Sequence, residues 1–268
     1  MPFIQTPNLG IYYEQGNNNH PAVLFISGSG ADLRVKPNQF DAPIAAQFDL
    51  LCYDQRGLGR TDKPTGDYTM QQYGDDAAAL LDALQIDKIA VVGVSFGGMV
   101  AQNFVLQHPQ RVSSLVLCCT SAGGQGGASY PLHELQNLAS RERAEAHLKV
   151  ADLRHTDQWI SENPQAWEKR VQMSMAMQKR GTDQLTKIGA EKQLQARRGH
   201  DTFAQLSKID VPVLLAGGEF DGIAPKANMQ AMHEQIPGSE LIFYQGGHMF
   251  LIQDKKAYTD ICGWLLRQ

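Results

Sequence analysis

Short, continuously apolar runs alternate along much of the chain with stretches in which apolar positions recur every three or four residues. The runs are 22 to 27 (Ala-Val-Leu-Phe-Ile-Ser), 49 to 54 (Asp-Leu-Leu-Cys-Tyr-Asp), Lys88 to Val94, Val112 to Cys119 and 211 to 217 (Val-Pro-Val-Leu-Leu-Ala-Gly). Strands covered on both faces have this composition, because neither face meets water. Between them, Met70 to Leu84 carries Leu80, Leu81 and Leu84 on one helical face, and residues 96 to 107 read as a helix stopped by Pro109. Pro225 to Gln235 and Tyr258 to Leu266 read the same way, and a further helical pattern is expected around Phe40 to Phe48. Residues 11 to 15 and Glu240 to Tyr244 complete the strands, the first turning into 22 to 27 through Gly-Asn-Asn-Asn at 16 to 19. This alternation predicts an α/β protein with a mostly parallel, doubly wound central sheet flanked by helices.

From about Gly123 to Phe203 the rhythm changes. Gly123-Gly124-Gln125-Gly126-Gly127 reads as a hinge, and the residues beyond it are helical and polar with no strand pattern. The expected organisation is a core formed by residues 1–122 and 204–268, with a helical cap inserted at 123–203. A chain of 268 residues is long enough for that arrangement. Trp159, Trp167, Met173 and Met177, with Met249 near the C-terminus, are candidates for lining a substrate pocket. Met173 and Met177 share a helix face and Met175 points away; an ordinary core for the insertion is the alternative.

Composition narrows the function classes. Hydrophobic residues make up 43% and charged residues 19%, and the formal net charge of −4 offers no footprint for nucleic acid. No apolar run reaches the roughly 18 to 20 residues of a membrane helix, and Met1 to Gln5 has no signal-peptide pattern. The four cysteines, Cys52, Cys118, Cys119 and Cys262, form no C-x-x-C pair, so no metal site is expected, and buried free thiols fit a reducing cytoplasm. Residues 93 to 98 follow G-x-S-x-G-G rather than G-x-G-x-x-G, and there is no G-K-[ST], so no nucleotide cofactor is expected either.

The chemistry centres on Gly93-Val94-Ser95-Phe96-Gly97, a G-x-S-x-G pentapeptide between an apolar strand and a helix. That context lifts a serine hydroxyl above the sheet edge, with small residues two positions to either side. A serine needs a base, and the base an orienting carboxylate. Gly246-Gly247-His248 follows one predicted strand, and Gly217-Gly218-Glu219-Phe220-Asp221 follows another, offering Glu219 or Asp221 as the acid. His20, His108, His133, His147, His155, His200 and His233 lack a strand edge before them and read as surface or capping residues. Phe96 N–H, just after the serine, is a candidate donor to a developing oxyanion.

On these motifs, with Tyr53-Asp54-Gln55-Arg56-Gly57-Leu58-Gly59 and Gly97-Gly98-Met99, the sequence resembles α/β-hydrolase-fold enzymes over nearly all the chain outside 123 to 203. Within that superfamily it is similar to 3-oxoadipate enol-lactonases and related carboxylesterases. The resemblance implies a serine hydrolase of a small ester or lactone, with Ser95, Asp221 and His248 as its triad. It also implies Ser29 N–H as the second oxyanion donor beside Phe96, although Ser27-Gly28 stands where the family commonly has His-Gly. Asp54 and Arg56 resemble the family's structural turn, read as an ion pair fixing the loop. Carbon-carbon bond hydrolases and perhydrolases share the triad, and a ligand-binding or signalling protein on the same fold is the alternative outside catalysis. An oxoadipate-like lactone would bring a carboxylate and call for a basic partner among Arg141, Arg143, Arg154, Arg170, Arg180, Arg197 and Arg198.

Overall fold

The structure, a computed structural model, describes residues 2–178 and 183–268. One sheet is built from β1 (Phe3–Gln5), β2 (Gly10–Gln15), β3 (Ala22–Ile26), β4 (Asp49–Tyr53), β5 (Ile89–Val94), β6 (Val112–Cys118), β7 (Val213–Gly218) and β8 (Glu240–Tyr244). Their spatial order is β1-β2-β4-β3-β5-β6-β7-β8. The pairs β1/β2 and β2/β4 are antiparallel, and every pairing from β4 to β8 is parallel. The sheet is mostly parallel and doubly wound, as the alternation of strand and helix patterns predicts. Only the three-residue edge strand β1 escapes the apolar pattern, since its residues are largely exposed.

The helices are α1 (Met70–Ala83), α2 (Phe96–Gln107), α3 (Ser140–Ala151), α4 (Asp157–Glu162), α5 (Pro164–Gln178), α6 (Gln184–Arg198), α7 (Lys226–Gln235), α8 (Phe250–Gln253) and α9 (Lys256–Leu265). Successive strand residues face opposite sides of the sheet. Leu24 and Ile26 therefore join one core with Tyr73 and Leu80 of α1, Val100 and Phe104 of α2, and Met229 and Met232 of α7. Val23 and Phe25 join the other, with Phe250 of α8 and Ile261 and Trp264 of α9. Apolar residues are needed on both faces, so the strands read as unbroken runs. α1 starts at a capping box, in which Thr69 Oγ1 accepts from Gln72 N and Gln72 Oε1 accepts from Thr69 N.

The expected helix at 40 to 48 is instead two 3-10 turns, Gln39–Asp41 and Pro43–Ala46. Ala42 between them is extended, as the residue before a proline prefers, and this stops one helix from running through. Ile44 and Phe48 are still buried, which accounts for the helix-like pattern.

Between β6 and β7 the chain passes through α3 to α6, with no strand among the described residues. Ala144, Trp167 and Val171 form a small separate cluster there, with Trp159 and Met175 packed against it. α6 also rests directly on the loop after β4. A Cβ at Gly189 would lie 1.9 Å from the Gly57 carbonyl oxygen, so only glycine permits this approach.

The expected Asp54–Arg56 pair does not form. Asp54 curls into its own turn, its carboxylate accepting from Leu33 N at 2.7 Å and Arg60 N at 2.8 Å. Arg56 has the longer reach and crosses to α1, where its Nε and Nη2 donate to Asp76 at 2.8 and 2.7 Å. With side-chain exposures of 7% and 1%, this pair is buried. Removing one partner leaves the other charge uncompensated away from water, at a typical loss of about 3 to 5 kcal/mol. Asp76→Ala is therefore expected to lower unfolding free energy in urea by about that amount, and Arg56→Met with Asp76→Leu to recover much of it. A loss below about 1 kcal/mol for Asp76→Ala would rule out a structural role for the pair.

Candidate active site

β5 ends at Val94 and α2 begins at Phe96, so one residue turns the chain from strand to helix. That residue is Ser95, at φ 56° and ψ −116°, a region where side chains are strained. Its neighbours make the turn possible. A Cβ at Gly97 would meet the Ile26 carbonyl oxygen at 2.0 Å, and one at Gly93 would meet the Gly97 oxygen at 2.5 Å. Ser95 N donates to Cys118 O at 2.8 Å, and Thr120 Oγ1 donates to Ser95 O at 2.8 Å.

Asp221 lies just beyond β7 and His248 just beyond β8, on the same sheet edge as Ser95. Parallel α/β sheets expose their functional loops along this carboxyl edge. His248 Nδ1 donates to Asp221 Oδ2 at 2.8 Å, which leaves Nε2 as the acceptor for the Ser95 hydroxyl at 2.9 Å. The other Asp221 oxygen accepts from Ile223 N at 2.8 Å and Ala224 N at 3.0 Å, and Asp221 is buried. This geometry can move a proton from hydroxyl to imidazole while the carboxylate stabilises the resulting charge. Glu219, the rival acid, turns outward to Lys226 at 2.7 Å.

One backbone donor and one turn border Ser95. Phe96 N–H is the first of α2 and has no intrahelical acceptor. Gly28 packs beside the serine, a Cβ there falling 3.5 Å from Ser95 Cβ, and Ser29 follows in an exposed turn. The next amide, Gly30 N, is held at 2.8 Å by Gln193 Oε1, which reaches over from α6. Gln193 is fully buried and its Nε2 has no partner among the described residues.

A second contribution from outside the core is the end of α3. His248 N donates to Ala151 O at 2.6 Å, Leu153 N to Phe220 O at 2.9 Å, and Gly222 N to Val150 O at 3.0 Å. Residues 150–153 thus fasten the Asp221 and His248 loops from one side. Neither this clamp nor Gln193 has a sequence signal, since both act through tertiary placement.

The candidate pocket residues are dispersed. Trp159 and Trp167 pack within the 123–203 segment, their rings 5.1 and 5.6 Å from that of His155. Met173 and Met177 do share a helix face, but it is the exposed one, and Met175 is the methionine that packs inward. Met249 is half exposed beside His248. A cavity of about 120 Å³ lies elsewhere, between Met99 of α2, the 128–131 segment and Arg197 of α6.

Among the candidate arginines, Arg141 pairs with Glu145 and Glu168, Arg154 with Asp152, Arg143 with Gln178, and Arg170 stacks on Trp159. Arg198 lines the cavity from an exposed position, Arg197 is buried, and Arg180 lies outside the described residues.

One group of donors among the described residues lies close enough together to share a metal ion: Cys119, Asp221 and His248, within 4.8 Å. Burial, with the neighbouring Asp221 charge, pushes the Cys119 thiol well above its usual range, so without an ion it is protonated at neutral pH. All four cysteines are free and buried. No described helix is long and apolar enough to cross a membrane.

Comparison with known proteins matches residues 21–255 to the family model described as alpha/beta hydrolase fold. The 3-oxoadipate enol-lactonase 2 of Acinetobacter baylyi is 27% identical over 249 residues, covering 92% of this chain and 89% of that protein. The poly(3-hydroxyalkanoate) depolymerase of Ectopseudomonas oleovorans is 29% identical over 246 residues, covering 92% and 84%. The crystal structure of the enol-lactonase from Burkholderia xenovorans shares the fold over the whole of both chains, with a TM-score of 0.77 at 22% identity.

The histidines correct the expectation that all but His248 are surface or capping residues. His155 and His200 are buried, and His147 on α3 is half-buried. Burial pulls the His147 imidazole down to about 4, helped by the nearby His248 and Arg197, and burial does the same to His200. His200 Nε2 donates to Ser121 O at 3.2 Å, and its Nδ1 accepts from Asn103 Nδ2 at 3.4 Å, an arrangement that uses the neutral ring. Unfolded histidine titrates near 6.5, so between about 6.5 and 4 the unfolded chain binds protons that the folded chain refuses. Stability is unaffected by this group above about pH 6.5 and falls as pH drops toward 4, by up to about 3 kcal/mol for His200. His200→Gln retains one donor and one acceptor without the charge, and its melting temperature is expected to fall less steeply than wild type between pH 6.5 and 4.5. Parallel curves would show that His200 is not the titrating group.

Proposed function

Because the chain belongs to the alpha/beta hydrolase fold family, we propose that it is a serine hydrolase of small carboxylic esters or lactones, acting through an acyl-enzyme on Ser95. The observation that carries this reading is the unbroken relay from Ser95 Oγ through His248 to Asp221, at 2.9 and 2.8 Å. The likeness to an enol-lactonase supports a lactone or ester as the bond cleaved.

In this mechanism Ser95 Oγ attacks the carbonyl carbon as its proton passes to His248 Nε2. Asp221 holds the ring by Nδ1 and stabilises the imidazolium. The carbonyl oxygen becomes an oxyanion and accepts from the N–H groups of Phe96 and Ser29; losing one such donor typically removes about 3 kcal/mol of transition-state stabilisation. Collapse of the intermediate expels the alkoxide, which takes the proton from Nε2. With a lactone the alcohol remains tethered to the acyl group. Water then attacks the ester carbonyl with His248 as base, and Ser95 recovers its proton as the acid departs. The helices of 123–203 serve as a cap, and Gln193 acts as a positioning residue for the Ser29–Gly30 turn.

A fluorophosphonate probe is expected to label wild-type protein at Ser95 and to leave Ser95→Ala unlabelled. Turnover of short-chain p-nitrophenyl esters and simple lactones should fall at least about ten-thousand-fold in that variant, with its melting curve retained. Folded wild-type protein that resists the probe and cleaves none of these substrates would sink the hydrolase reading.

A further inference from the structure

Three donor side chains of different chemistry meet at the carboxyl edge of the sheet. Cys119 follows β6, Asp221 follows β7 and His248 follows β8, and these strands are neighbours in that order. One ligand atom from each, the Cys119 sulfur, an Asp221 oxygen and a His248 ring nitrogen, lies within 4.8 Å of the other two. A tetrahedral ion of the zinc type, with bonds of about 2.0 Å to nitrogen and oxygen and about 2.3 Å to sulfur, holds such atoms about 3.3 to 3.6 Å apart. Shifts of about 1 Å therefore close the set.

The ligands are supported from behind, as metal ligands generally are. Oδ1 of Asp221 accepts from Ile223 N and Ala224 N, which leaves Oδ2 facing the His248 ring. Cys119 N donates to Ala216 O at 2.8 Å and His248 N to Ala151 O at 2.6 Å. Cys119 and Asp221 are only 1% and 3% exposed, so an ion bound between them must be neutralised on the spot. A thiolate and a carboxylate do this, since their two negative charges match one divalent cation. The ion displaces the thiol proton: the sulfur–hydrogen bond breaks, the sulfur–metal bond forms and one proton leaves to solvent. Its approach is by His248, whose side chain keeps 11% exposure. Sulfur with imidazole and carboxylate suits zinc or cadmium, and suits magnesium or calcium poorly.

Such an ion would take the base from Ser95. Binding through Nε2 occupies the lone pair that accepts the serine proton, and binding through Nδ1 breaks the Asp221 hydrogen bond and moves the ring proton to Nε2. We propose that Cys119, Asp221 and His248 form an inhibitory site for a thiophilic divalent cation of the zinc type. The inhibition rests on the hydrolase reading, whereas binding of the ion does not.

Binding is read first, by titrating wild-type protein and Ser95→Ala with cadmium chloride at neutral pH and following the ultraviolet charge-transfer absorption of a cadmium–thiolate bond. One ion per chain is expected in both. The band should persist in Cys118→Ala, since Cys118 is outside the group, and disappear in Cys119→Ala. Turnover of a p-nitrophenyl ester below KM is read second. Zinc chloride at about 100 µM is expected to lower it tenfold or more, which corresponds to binding at about 10 µM, and magnesium chloride at the same concentration to leave it unchanged. Cys119→Ala and the nearly isosteric Cys119→Ser, each compared with its own metal-free rate and checked by its melting curve, should need at least ten times more zinc for the same loss. Cadmium that produces no band on wild type overturns the proposal, as does a zinc response that is the same in wild type and in whichever Cys119 variant folds. Absence of turnover and of Ser95 labelling would remove the hydrolase reading alone, and the cadmium band would still decide the site.

Discussion

The backbone at Ser95 is the constraint to which the surrounding structure conforms. A positive φ in a residue with a side chain is unfavourable by about 1 to 3 kcal/mol and persists only where neighbouring contacts over-determine it. Here those contacts are the Cys118 carbonyl that accepts from Ser95 N, the Thr120 hydroxyl that donates to Ser95 O, and a glycine on either side that lets β3 and α2 close in. A parallel sheet with both faces buried is what makes such a framework rigid. β5 has β3 and β6 as partners along its length, so the strain is borne by the centre of the sheet.

Around that fixed point Asp221 and His248 are held by long-range contacts rather than by their own loops alone. Asp221 is oriented by two following amides, and the loops carrying Asp221 and His248 are tied by backbone hydrogen bonds to residues 150–153. His147 sits on the same helix, within electrostatic range of His248. The segment between β6 and β7 therefore touches the Asp221 and His248 loops at its α3 end and the Ser29–Gly30 turn at its α6 end.

The legible and illegible parts of the molecule divide along physical lines. The central strands are readable because double-sided burial leaves apolar runs, and Ser95, Asp221 and His248 because each follows such a run. Their mutual hydrogen bonds are then a matter of sheet order. The 3-10 turns near Ile44 were hidden because burial of Ile44 and Phe48 imitates helical spacing. Met173 and Met177 illustrate the limit of periodicity: it places two residues on one face correctly, yet it carries no information on whether that face looks inward. Arg197 and Arg198 are adjacent in sequence and differ only by their rotation about the α6 axis, which puts one inside and the other in solvent. Asp54 and Arg56, two residues apart, looked like natural partners; the tight turn sends one carboxylate to backbone amides and the guanidinium to a different helix.

Gly189, Gln193 and Arg197 lie at four-residue intervals on α6, so the close approach at Gly57 gives this helix the property of a measuring rod. Its zero is the Gly189–Gly57 contact, and at about 1.5 Å per residue Gln193 and Arg197 fall some 6 and 12 Å along it. Adding or deleting one residue between 189 and 197 turns everything beyond by about 100° and carries Arg197 off the cavity face. The helix length between those three positions fixes where Gln193 and Arg197 stand as firmly as any side-chain contact does.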